Sequence, residues 1–104
     1  MSYEMIVGLE VRDSKLYADY REAMAPLLRR HGGGFRYDFE VARVLRSESK
    51  HQINRVFAIY FKDRENKVAF FAHPDYQAIK AKYFERSVAS TTIISEYLRF
   101  ETAM

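Results

Sequence analysis

The chain has 104 residues, 48% of them hydrophobic, with a formal net charge of +3 and acids and bases mixed along its length. That describes a single domain over residues 1–104, with apolar matter enough for one core and too much for disorder. The absence of cysteine excludes disulfides, thiolate catalysis and cysteine-based zinc sites and fits a cytoplasmic setting, while no apolar run is long enough to cross a bilayer.

"YEMIVGLEV" (Tyr3 to Val11) alternates with period two and predicts a strand. Glu4 and Glu10 interrupt it, so no signal peptide is expected. Asp13 offers a helix N-cap, and behind it Leu16, Tyr17, Tyr20, Met24, Leu27, Leu28 and His31 recur at helical spacing. Pro26 is expected to kink this helix or divide it. Gly32 follows the basic last turn Arg29, Arg30 and His31, where a helix needs a left-handed residue to stop. The order is helix, glycines, strand, the reverse of a phosphate-cradling loop.

A second strand is expected over "FRYDFEVARVL" (Phe35 to Leu45), a polar loop over "SESKHQIN" and a third strand over "RVFAIYF". Asp63 should cap a second helix, which Pro74 in "HPDY" restarts. "TTIISEYLRF" is the last strand. Its phase is open, because Ile93 and Ile94 are adjacent and Glu96 separates Ile94 from Leu98. Residues 101–104 form an expected loose tail.

The order β-α-β-β-α-β is the ferredoxin-like motif, an α+β fold with both helices on one face of a four-stranded antiparallel sheet. Strict alternation sends Tyr3, Met5, Val7, Leu9, Phe35, Tyr37, Phe39, Phe57, Ile59 and Phe61 toward the helices. The opposite face then holds Glu4, Ile6, Gly8, Glu10, Arg36, Asp38, Glu40, Ala42, Val56, Ala58 and Tyr60, with Ile93 and Tyr97. No helix remains to cover that mixture of apolar and charged groups. A homodimer packed through this sheet face is the expected partner arrangement.

The chain resembles domain of unknown function family 1330, within the dimeric α/β-barrel superfamily. The resemblance rests on "YADYREAMAPLLRRHGG" (Tyr17 to Gly33), a strand bearing Glu40, "VFAIYFKDRENKVAFFAHPDYQAI" (Val56 to Ile79) and the closing "IISEY". It implies a homodimer with a cleft and carries no established reaction.

Candidate chemistry centres on Asp38 and Glu40, two carboxylates beside Arg36. In a cavity their pKa values could be pushed apart for proton transfer, and ion pairing explains them equally well. Tyr60 and Tyr97, with Arg36, are candidate substrate contacts. His73 is a candidate general base, or simply part of a helix restart. His31, His51 and His73 lack ligand spacing, so no metal and no cofactor is expected. The expected function is binding of a small organic molecule in a polar-lined cleft, catalytic or not. The alternative is a non-catalytic structural or interaction module. RNA binding stands third: "RVFAIYF" faintly echoes an RNA-recognition strand but lacks its glycine and second aromatic. Neither a nucleic acid nor a membrane is expected as a partner.

Overall fold

The structure, a computed structural model, describes residues 1–101. Its elements are β1 (Ser2–Val11), α1 (Ser14–Arg30), β2 (Gly34–Glu40), β3 (Arg55–Phe61), α2 (Arg64–Ala72), α3 (Pro74–Ile79) and β4 (Val88–Arg99). Between α3 and β4 the helix continues as a π turn (Lys80–Phe84) and a short α4 (Glu85–Ser87). The strands form one antiparallel sheet in the order β2-β3-β1-β4, the ferredoxin-like arrangement.

Local chemistry fixes the helix boundaries. The Asp13 carboxylate accepts the Leu16 N–H at 3.0 Å, and Asp63 accepts that of Asn66 at 2.8 Å. Both occupy N-cap positions and satisfy backbone donors the helix cannot. His73 does the same for α3 through Nδ1, 3.0 Å from the Asp75 N–H, with Pro74 at the first helical position. Gly32 ends α1 with φ of 68°. A Cβ on Gly33 would collide with the Tyr60 carbonyl oxygen and with Leu28, so the turn packs tightly against β3.

Of the two outcomes expected at Pro26, division of the helix does not occur: α1 runs undivided through it. Pro26 and Glu22 are both exposed, so water can serve the Glu22 carbonyl that a residue-26 N–H would have met.

The core lies between one sheet face and the helices. Tyr3, Met5, Val7 and Leu9 of β1 and Phe57, Ile59 and Phe61 of β3 pack with Tyr17, Tyr20, Met24, Leu27 and Leu28 of α1, Phe70 of α2 and Tyr76 of α3. Burying a side chain such as Phe61 or Phe70 contributes roughly 1.5–3 kcal/mol.

Two irregularities decide which residues face the helices. In β2, Phe35 pairs with Ile59 but Tyr37 pairs with Ala58, so the register shifts across Arg36. This β-bulge inverts the alternation beyond it. Tyr37 and Phe39, expected in the core, are exposed on the open face, whereas Asp38, expected there, lies opposite Phe57 on the helix side. Glu40 likewise moves to the helix side, opposite Arg55. In β4 a second shift, between the partners of Ile6 and Val7, settles the open phase. Ile93, expected on the open face, instead pairs with Val7 on the helix side, while Tyr97 pairs with Glu4 on the open side.

β2 ends at Glu40, so the expected strand residues Val41 to Leu45, Ala42 among them, belong to the connection to β3. That connection returns along the sheet. The Asn54 side chain takes the Val11 N–H and gives to the Val11 carbonyl, each at 2.8 Å, and Ile53 lies over Gly8. Of the tail, Glu101 accepts from Ser2 Oγ at 2.8 Å and pairs with Arg36. Residues 102–104 lie outside the described residues.

Candidate functional site

The sequence-predicted polar residues fall into two groups on opposite faces. On the open face, Arg36 Nε donates to Glu4 Oε1 at 2.6 Å, Tyr97 donates its hydroxyl proton to Glu4 Oε2, and the Arg36 guanidinium stacks over Tyr60 at 4.1 Å. Glu4 is only 4% exposed, so these two donors compensate a carboxylate removed from water. The hydrogen bond to Glu4, then burial and the Glu4 charge, hold the Tyr97 hydroxyl pKa above the usual value. Arg36, Tyr60 and Tyr97 therefore meet around Glu4, a residue not singled out in the sequence.

On the helix side, Asp38 receives two guanidinium forks. Arg55 Nε and Nη2 donate to it at 2.8 and 2.9 Å, and Arg21 Nη1 and Nη2 at 3.2 Å each. The bonds from Arg55, then the charge of Arg21, hold the Asp38 carboxyl below the usual carboxylate range. Arg21 also donates from Nε to the Tyr17 hydroxyl at 2.7 Å and lies 3.8 Å from the Phe35 ring centre. Asp38 thus serves to lock Arg21 in place. Glu40 is exposed at the end of β2 and His73 caps α3. Neither joins Asp38, and neither lines the cavity described next.

Arg21 reaches into a cavity of 230 Å³ between the sheet and the helices. Its floor is apolar: Met5, Val7, Leu9, Phe57, Ile59 and Ile93 from the strands. Its helical wall carries Tyr17, Tyr20 and Arg21 from α1, Tyr76 from α3, and Lys80 and Phe84 from the two ends of the π turn. The Tyr20 and Tyr76 hydroxyls lie 2.9 Å apart. Burial raises the pKa of both, and of Tyr17 despite the neighbouring Arg21. All three remain protonated at neutral pH. In the Tyr20–Tyr76 pair one hydroxyl donates to the other, and the acceptor keeps its own proton for a guest.

This wall was readable in part. Tyr17, Tyr20, Arg21 and Met24 share one face of α1, and an arginine on an otherwise core-facing stripe is the anomaly that marks it. Lys80 gave no such signal, because the π turn that aims it has none in the sequence.

Among the described residues no cluster of three or more His, Asp or Glu side chains is spaced to hold a metal ion, and no helix is long and apolar enough to cross a membrane.

Solved structures share this architecture. A protein of unknown function from Rhodopseudomonas palustris matches with a TM-score of 0.79 at 16% identity, over 97% of this chain and 84% of its own. A dabb family protein with a ferredoxin-like fold from Mesorhizobium loti matches with a TM-score of 0.69 at 14% identity, over 96% and 98%. A dimeric protein of unknown function with a ferredoxin-like fold from Bacteroides fragilis gives 0.57 at 16%, over 92% and 94%. At these identities the likeness is one of fold. No curated protein matches the sequence. The profile of the family called Domain of unknown function (DUF1330) matches residues 3–97, so the helix with its paired glycines, the Pro74 restart and the closing "IISEY" all fall inside it, and the chain belongs to that family.

Proposed function

We propose that the protein is a homodimeric binder of a small organic molecule, held between sheet and helices. The observation that carries this is the 230 Å³ cavity: apolar walls with a few convergent polar groups, Arg21, Lys80 and the Tyr20–Tyr76 pair. Its volume equals the liquid share of roughly eight waters, which gives room for a single-ring compound.

The dimer part of the reading rests on the open face. Tyr37, Phe39 and Ile94 are each about half exposed, and the similar Bacteroides fragilis protein is described as dimeric. In this reading Arg36, Tyr60 and Tyr97 stand at the subunit interface rather than against substrate. Asp38 positions Arg21, and Glu40 and His73 take no part. Among the described residues no carboxylate lines the cavity, and Asp38 outside it is paired with two arginines, which favours binding over proton transfer.

Native mass spectrometry of the purified protein tests both parts. A dimer is expected, carrying one small adduct per subunit after gentle isolation. A monomer would overturn the dimer. A dimer that takes up no single-ring compound at millimolar concentration would leave the non-catalytic structural module, and co-purifying RNA would revive the nucleic-acid reading.

A further inference from the structure

Resting on that cavity reading, we infer that the guest is an apolar monoanion, a carboxylate on a ring or short hydrocarbon body, with Lys80 as the residue that selects its charge. Among the described residues, the charged side chains that line the cavity are Arg21 and Lys80, both cations, and none is a carboxylate. The two are not equivalent. Arg21 already shares its charge with Asp38 at 3.2 Å. The described lysine ion pairs use Lys15 and Lys67, and none uses Lys80. A partly buried lysine at the wall of an apolar cavity, with no ion-pair partner among the described residues, raises the affinity of the site for an anion.

The backbone supports this assignment independently. Lys80 begins the π turn, and its carbonyl accepts the Glu85 N–H five residues on. Such widened turns are rare and occur frequently at functional sites. Here the two ends of the turn, Lys80 and Phe84, both reach the cavity. The protonated Tyr20–Tyr76 pair offers the anion a second donor. Phe84, whose ring lies 5.0 Å from that of Tyr20, completes a wall against which a flat apolar body can lie.

The test uses two fluorinated probes of the same shape, 4-fluorobenzoate and the neutral 4-fluorobenzamide, followed by fluorine NMR titration into the full chain. The wild type should bind the benzoate about tenfold more tightly than the benzamide, the scale of one charge-assisted contact in a partly dry site. Lys80→Met should bring the two affinities together by weakening the benzoate alone, while Lys80→Arg should keep the preference. Far-UV circular dichroism reports that each variant is folded. Equal binding of the two probes by the wild type, or a preference unchanged in Lys80→Met, would overturn the charge assignment while leaving the cavity reading intact. Failure of both probes to bind would overturn the cavity reading, and this inference with it.

Discussion

Asp38 shows how one carboxylate can organise a site without acting in it. It accepts from Arg55 and Arg21, and those bonds hold its pKa below the ordinary value. A group whose folded pKa is depressed adds stability that is fully present above its unfolded value, about 3.9, and lost as pH falls through the folded value. Asp38→Asn should therefore destabilise the protein at pH 7 by about 1 kcal/mol, a figure reduced for the third of the side chain that remains exposed. The gap to wild type should close progressively below about pH 4. Urea melts of both proteins at pH 7, 4 and 2.5 measure it. A gap that stays constant across that range would mean Asp38 acts through packing rather than charge. The arrangement at Glu4 is the harsher one, because that carboxylate is almost fully buried and depends on Arg36 and Tyr97 for both of its oxygens.

At the scale of elements, Pro26 offers a separate check. Within α1 it removes one backbone donor on the exposed side of an otherwise regular helix. Pro26→Ala restores that bond and a good helix former, offset by a looser unfolded chain. The expected net gain is about 1–2 kcal/mol, and about 4–8 °C in Tm for each of those kcal/mol. An unchanged or lower Tm in a calorimetric scan would contradict it. The same scale explains which parts of the fold the sequence announced. Element order, caps and glycine stop were legible because each depends on local chemistry: Asp13, Asp63, Pro74 and Gly32 act on backbone within a few residues. The core assignments of β1 and β3 followed from alternation and held, with Met5, Val7, Phe57 and Ile59 buried as expected. In β2 the same rule placed Phe35 correctly and then failed at Tyr37, because a bulge adds one residue and reverses every face beyond it. A bulge has no strong local signature, since Arg36 is an ordinary strand residue. What it brings together is nonlocal: skipping one register carries Asp38 to Arg21 and Arg55, while Arg36 stays with Glu4 on the open face. The candidate site inherited that error. Asp38 and Arg36, two residues apart, share a face in expectation and stand on opposite faces of the sheet in fact.

For the whole molecule, the bulge has a second effect, which is to give the open face two aromatic rings. Tyr37 and Phe39 stack there with centroids 5.9 Å apart, and Ile94 of β4 and Val44 and Leu45 of the β2–β3 connection are also substantially exposed. A single sheet with helices on one side has nothing left to cover such a surface, and clustered exposed aromatics mark interfaces. If the open face is the dimer interface, Phe39→Glu should dissociate it. Phe39 is 54% exposed in the single chain, so the subunit should keep its fold and its circular dichroism spectrum. A two-fold interface repeats each contact, so losing about 2 kcal/mol per Phe39 weakens the dimer by about 4 kcal/mol, roughly a thousandfold. Light scattering after size exclusion at micromolar concentration should then report a dimer for the wild type and a monomer for the variant. A variant that remains dimeric would place the interface elsewhere. A folded monomer that still binds 4-fluorobenzoate would show that the cavity is complete within one chain, as its lining from all four strands, α1, α2, α3 and the π turn implies.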